Sequence, residues 1–319
     1  MRTAVKIGIV YEFFDDPLSI VVEQEAGVPC DSLKAVFAYR EDFPDIDRIY
    51  LLDDDVYDVR TAVTKRDVLF AGIADEIVFD MDGKGKYITV YARSLACLLT
   101  DCECPMMTYH DPTLDVIAAR HCEPFGLICS GSSVKERKGT LNIRKGSSHY
   151  KVLQRFCSEF LGTTPRVDHR GVIVTDMYSD DKTVCFDNDG GVPFGKISIS
   201  DNRYGRITRI DVYDEKGYCA SVKNPEITGA DFQRVRCLNL PESSSGTLSD
   251  ADRIIRSSND KGFGVTLESH VCLLNTLGYP ASVNAPRCIG RKLYIGKIKY
   301  INDSSGERTS VKLSSRGEN

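Results

Sequence analysis

The sequence contains no tryptophan and no C-x-x-C pair, although twelve of its 319 residues are cysteines. The missing spacing removes the common zinc-ribbon and thiol-redox patterns, and a chain of this length needs no disulfide staples to hold a core. No run of 18 or more apolar residues occurs, so nothing has the length of a membrane-spanning helix, and no membrane insertion is expected. The opening residues, Met1-Arg-Thr-Ala-Val-Lys-Ile-Gly8, are charged and lack the apolar centre of a signal peptide, which points to folding in a cytoplasm. G-x-S-x-G, H-E-x-x-H, Walker A and G-x-G-x-x-G are all missing, so no catalytic signature marks an enzyme.

Charge is also unremarkable. The net value is −5 with both signs spread along the chain, whereas a surface that tracks nucleic-acid phosphates needs clustered Lys and Arg. The densest basic run, Lys135-Glu-Arg-Lys138 with Arg144 and Lys145, reads as a solvated loop. The five histidines, at 110, 121, 149, 169 and 270, form no recognised nucleophile–base or metal-ligand pattern. His149 falls on the first turn of a helix and His169 in a polar turn, and surface positions explain both. Asp53-Asp-Asp55 and Asp180-Asp181 read as solvated loops.

The only compact group of ligand-type residues is Cys102 and Cys104 with His110, His121 and Cys122 downstream. Zinc uses such side chains, but the spacing matches no common structural site. Other cysteines sit among apolar neighbours, as Cys97, Cys157 and Cys272 do, where a thiol acts as a small hydrophobe. No catalytic, cofactor-binding or metal residue is assigned, and no cofactor is expected.

What is present is periodicity. Apolar residues make up 42% and charged residues 27% of the chain, an ordinary globular composition, and the length suits about two or three domains. Alternation predicts strands over Leu18 to Glu25, Leu33 to Phe37, Arg48 to Leu52, Val56 to Val63, Val68 to Phe79 and Tyr87 to Tyr91. Asp80-Met-Asp-Gly-Lys-Gly85 supplies a hairpin turn, and a brief helix over Ser94 to Thr100 closes the unit.

The period then changes. Asp111-Pro112 starts a helix with Leu114, Ile117, Ala118 and His121 on one face. Ser147 or Ser148 caps a second, with a stripe of Val152, Leu153, Phe156, Cys157 and Phe160, and Gly162 ends it. Asp168 to Gly171 turns into a strand at Val172 to Thr175. Strands return at Ile197 to Ser200 and Gly205 to Tyr213. Ser243 to Gly246 is a flexible link before a helix over Asp250 to Ser257, capped by Ser249. A hairpin of Leu293 to Ile301 and Thr309 to Leu313 ends the pattern, while Val271 to Leu277 fits helix or strand equally.

In this order, Val68-Leu-Phe-Ala-Gly72, the long hairpin and Ile88-Thr-Val-Tyr-Ala-Arg-Ser-Leu-Ala96 resemble the hub proteins of contractile phage-type tails. Those of Mu-like phages, defective prophages and tail-like bacteriocins of Gram-positive bacteria are the nearest in kind. Ile143 to Phe160 with Pro165 to Ile173 resembles the family's α/β insertion. Arg206 to Gly217 and Leu293 to Leu313 resemble its second barrel. The resemblance implies an α+β, mainly β fold with two tube-like β-barrel domains, at 1–105 and 191–319, and an α/β insertion at 106–190.

It also implies a non-enzymatic homotrimer that adapts the sixfold tail tube protein to the threefold central spike protein. Such a hub lines the channel and contacts the tape-measure protein's end and other baseplate proteins, without specific nucleic-acid binding. Its place would be the baseplate of a virion or tail particle assembled in the bacterial cytoplasm. The competing readings are a monomeric β-rich tail binding module and a metal-dependent cell-wall hydrolase resting on Cys102, Cys104, His110 and His121. If the thiols are core filler, chelation leaves the melting temperature unchanged, and Cys102→Ser with Cys104→Ser costs little. Stoichiometric bound zinc with loss of fold on chelation is the opposite result.

Overall fold

The computed structural model describes residues 2–7, 10–14, 17–52, 68–83, 85–178, 182–214, 217–227, 232–239 and 248–315. The expected strand Val56 to Val63, the acidic runs at 53–55 and 180–181 and the link Ser243 to Gly246 lie outside these residues, as does the side chain of Ser249.

Seven strands open the chain: β1 (Arg2–Ile7), β2 (Val10–Phe14), β3 (Ser19–Glu25), β4 (Ser32–Ala38), β5 (Arg48–Leu52), β6 (Val68–Asp82) and β7 (Gly85–Ser94). In β3 and β4 every second side chain is buried, Ile20, Val22 and Gln24 in one and Leu33, Ala35 and Phe37 in the other. This is the period of a sheet with one dry face. β6 and β7 form the expected hairpin, with Asp82 opposite Gly85. Gly85 adopts φ +148° and donates its N–H to the Asp82 carboxylate at 3.2 Å.

A second core follows, built by α1 (Cys97–Asp101), β8 (Met107–His110), α2 (Leu114–His121), β9 (Ile128–Cys129), β10 (Thr140–Ile143), α3 (His149–Phe156), β11 (Arg166–Val167) and β12 (Val172–Val174). Leu99, Ile117, Leu141, Phe156 and Ile173 are among its buried residues. The predicted face of α2 is the buried one, but its cap differs. Thr113 accepts the Val116 N–H at 3.4 Å, while the Asp111 carboxylate takes the Gly139 N–H at 2.8 Å. Asp111 stands at φ +46°, two residues too early to cap the helix. Ser148 caps α3 through Lys151 N–H, the helix widens into a π-type turn over Cys157–Leu161, and Gly162 ends it at φ +70°.

The remainder holds β13 (Val184–Phe186), β14 (Lys196–Asp201), β15 (Arg209–Asp214), β16 (Gly217–Lys223), β17 (Val235–Asn239), α4 (Leu248–Gly262), β18 (Phe263–Ser269), β19 (Pro280–Val283), β20 (Leu293–Asp303) and β21 (Gly306–Ser314). The segment over Gly205 to Gly217, expected in the second barrel, lies elsewhere. β15 pairs antiparallel with β16 and parallel with β17 in a separate three-stranded sheet. Ile210 and Val212 of that sheet bury against Ala251 and Ile255 of α4, so a small third core sits between β14 and β18. Residues 271–277 form turns, with Asn275 at φ +68°, and are neither helix nor strand.

The fold is mainly β, as expected, but the two halves are not separate. Thirteen strands form one sheet, ordered β14-β18-β21-β20-β3-β4-β7-β6-β5-β1-β2, with β19 and β13 branching from β20. Among the described residues its pairing closes no barrel. The cause is β20. Its first residues pair with β19, its register shifts around Gly296, and Lys297 to Asp303 then pair antiparallel with β3. One hydrophobic core therefore runs through both halves, from Ile20, Leu33 and Phe70 to Val265, Ile298 and Leu313.

A buried polar node joins this sheet to the second core. Asp31, between β3 and β4, accepts from Gln24 Nε2 at 2.8 Å and from Arg166 Nη2 of β11 at 3.0 Å. Its backbone is tied to Ser94 of β7 in both directions, at 3.0 and 2.8 Å. The Asp31 side chain is 6% exposed and that of Arg166 13%. Removing one partner of a buried pair strands the other, typically at about 3–5 kcal/mol. Asp31→Ala is therefore expected to lower the unfolding free energy, measured by denaturant titration, by that order. Gln24→Ala, which leaves the ion pair standing, should cost distinctly less.

Candidate interaction face

Alternation that fills the core with one set of side chains sends the other set outward. Across β14, β18, β21, β20 and β3 this outward set is made of lysines, carboxylates and hydroxyls. The charges pair across strands at their register positions. Lys196 meets Glu268 at 3.1 Å, Lys297 meets Glu25 at 2.6 Å, and Lys299 meets Glu23 at 2.7 Å. Arg308 closes on Asp303 at 2.7 Å across the β20–β21 hairpin. The Lys299 ammonium holds Glu23 below the usual carboxylate range, and Arg308 brings Asp303 down to about 2. Such exposed pairs are worth little individually in stability. Their effect is to fix an ordered polar surface with Ser198, Ser200, Thr266, Ser310 and Ser314 between them.

Farther along, Arg93 of the Tyr-Ala-Arg motif points outward from β7. It binds Asp75 of β6 and Asp101 of α1, each at 2.7 Å. The arginine thus clamps the sheet to the first helix of the second core. Beyond it the β6–β7 hairpin projects with Phe79 and Met81 exposed, and Tyr39 packs edge-on to Phe79 with ring centroids 6.5 Å apart.

Of the five ligand-type residues singled out in the sequence, Cys122 is buried in the second core. Cys104 is buried and donates its thiol to the Ser147 carbonyl at 3.1 Å. Cys102 is half-buried, and its carbonyl accepts the His149 N–H. His110 is exposed, with Nδ1 3.4 Å from Thr140 Oγ1. His121 is buried between Tyr109 and His149. Among the described residues no three His, Cys, Asp or Glu side chains gather as metal ligands would. All twelve cysteines are free thiols.

His149 is not the solvated surface residue the sequence suggests. Its Nδ1 lies 3.0 Å from His121 Nδ1, and Phe125 packs on its ring at 4.9 Å. His121 Nε2 is hydrogen-bonded to Tyr109 Oη at 3.0 Å. The Nδ1–Nδ1 contact needs one imidazole to donate and the other to accept, so at least one ring is neutral. Sequence periodicity located His121 on the buried face of α2, but nothing in it marked His149 as the partner. The Lys135–Lys138 loop is solvated as expected, and Glu136 within it accepts the Leu114 N–H at 3.3 Å at the start of α2.

No known family profile and no curated protein matches the sequence. Solved structures do match. A 43 kDa tail protein of prophage MuSo2 from Shewanella oneidensis superposes with a TM-score of 0.75 at 15% identity, covering 100% of this chain and 99% of that one. The chain shares the fold of phage tail proteins. A tail protein from Neisseria meningitidis MC58 gives 0.72 at 15% identity over 99% and 97% of the two chains. A type VI secretion component of E. coli, described as similar to the T4 tail proteins gp27 and gp5, gives 0.54 at 12% identity over 95% and 74%.

Burial, then the neighbouring His149, hold the His121 pKa down at about 4, against 6.5 when free, and burial also lowers that of His149. The unfolded chain then binds more protons than the folded one between these values, so stability falls as pH drops from about 6.5 to 4. The melting temperature is expected to decline over that window. His121→Asn, which cannot take up the proton, should flatten the part due to this pair, and an unchanged slope would show that other groups set it.

Proposed function

We propose that this chain is a structural component of a phage-type contractile tail, the hub at the centre of its baseplate. The observation that carries the reading is fold agreement from end to end. The phage tail structures above superpose over 99–100% of this chain and 97–99% of their own. The gp27-like secretion component, built on the same plan, supports the hub position in particular.

In this reading the chain is a homotrimer. Its two β-rich halves, 1–105 and 191–319, act as tube-like units that offer six near-equivalent surfaces to a hexameric tail tube protein. The threefold symmetry of the ring suits a central spike below it, and the channel holds the end of the tape-measure protein. The insertion at 106–190 has its own hydrophobic core, which supports a place outside the ring facing other baseplate proteins. The hub has no catalytic centre, cofactor or metal, and resides in the baseplate of a tail particle assembled in the bacterial cytoplasm. Its outward sheet face supports a channel wall. Lys196, Lys297, Lys299 and Arg308 there are each paired with a carboxylate, so apart from Lys261 and Lys312 a passing polyanion meets few unneutralised cations.

Cryo-electron microscopy of the assembled particle tests this directly. Three copies in one ring between tube and spike are expected. Six copies, a single copy, or a location at the tail fibres would refute the assignment.

A further inference from the structure

Among the described side chains on the strands of the main sheet, the two most exposed large apolar ones are on the hairpin β6–β7, Phe79 at 60% and Met81 at 75%. The pleat puts Glu76, Asp80 and Asp82 on the opposite, outward face of the same strand. The tip therefore has an acidic side and an apolar side.

A complementary hollow lies elsewhere on the sheet. β14, β18, β21 and β20 enclose a concave volume of about 690 Å³. Lys261, Lys297 and Lys312 stand around it, and Gly262, Gly264 and Gly296 leave stretches of its wall without side chains. Lys297 is held by Glu25, but among the described residues no carboxylate pairs with Lys261 or Lys312. These two lysines are the exception on a face whose other charges are matched.

The register keeps hollow and hairpin apart within one chain. Tyr87 at the hairpin end of β7 pairs with Ala38, Val36 with Ser19, and Ser19 with Asp303. The hollow surrounds the other ends of those strands, at Glu25, Lys297 and Ser314. Six residues of β3 separate the two ends, about 20 Å of strand, and the five strand steps from β7 to β18 add roughly 24 Å crosswise. The two patches are diagonal to one another, so they can meet only between copies. Used head to tail, two different patches make a heterologous contact, and such contacts generate rings when the rotation closes.

We propose that the acidic tip of hairpin β6–β7 of one copy docks into the lysine hollow of the next, with Glu76 and Asp80 facing Lys261 and Lys312. Phe79 and Met81 are then covered at the same boundary. The inference rests on the ring-forming reading above and specifies its contact.

The test uses the full chain. Carbodiimide joins amines to carboxylates that touch, so oligomers seen by sedimentation should yield peptides linking residues 76–82 to Lys261 or Lys312. Glu76→Lys with Asp80→Lys, and separately Lys261→Glu with Lys312→Glu, should each abolish the oligomer with the circular dichroism spectrum unchanged. All four substitutions in one chain should restore it, because the charges are then exchanged rather than opposed. Oligomers without such links, or oligomers that survive either pair of reversals, overturn the contact while leaving a threefold hub intact in particle images. A chain monomeric at every concentration also overturns it, and the particle images then judge the hub separately.

Discussion

The pairing of β20 with β3 is the constraint on which the rest of the molecule depends. It joins residues some 270 positions apart, as the Lys297–Glu25 contact shows, and turns two strand groups into one sheet with one core. Without it β3 and β20 would each expose a row of unpaired N–H and C=O groups, and Val22 and Tyr300 would lose the neighbours that keep them dry. Contacts of such long sequence separation form late, since loop closure must precede the gain. The two ends of the chain therefore have to find one another before the core is complete. The shift at Gly296 makes the seam possible by letting one strand serve β19 first and β3 afterwards.

That seam also explains the buried polar node next to it. Where β3 turns into β4, the chain leaves the sheet beside β11 of the second core. Asp31 performs the attachment, holding Gln24, Arg166 and Ser94 at once. A carboxylate this buried is tolerable only with its charge and lone pairs answered. Gln24 reaches onward to Asn275, whose Nδ2 donates to the Leu69 carbonyl, so the same network touches the turn before β19 and the start of β6. Arg93 makes a second, more exposed clamp between the sheet and α1. The second core is thus fixed to the sheet by directional bonds at two places.

The parts of this structure legible in the sequence are those dictated by local period. Strict alternation located β3, β4 and β5 closely, and the stripe of Val152, Leu153 and Phe156 located α3 together with its Ser148 cap and Gly162 end. Asp-Gly chemistry located the β6–β7 hairpin. What failed depended on partners. β15 and β16 have ordinary strand patterns, and only the apolar face of α4 decides that they pack in a separate unit. Asp111 has good capping chemistry, but Gly139 competes for its carboxylate across 28 residues. The Asp31–Arg166 and His121–His149 contacts join positions that no spacing rule relates. The outward charge pairs were equally invisible, because register, rather than composition, decides which lysine faces which glutamate.

Register also bears on how such a chain can assemble. A sheet of this size normally protects its edges by closing, by covering them or by charging them. Here the order ends at β2 on one side and β14 on the other, and neither has a further strand partner among the described residues. The outward face between them is dense in charge, yet its charges are mostly spent on one another. It therefore offers little to a partner except at the unpaired Lys261 and Lys312 and at the acidic, apolar-tipped hairpin. Hollow and hairpin lie diagonally across one sheet, so neither can be covered by the other within a single chain. Head-to-tail association uses each once per copy, and closure into a ring leaves none over. In the proposed ring, the same matching of charge that quiets the rest of the face leaves association to these two patches.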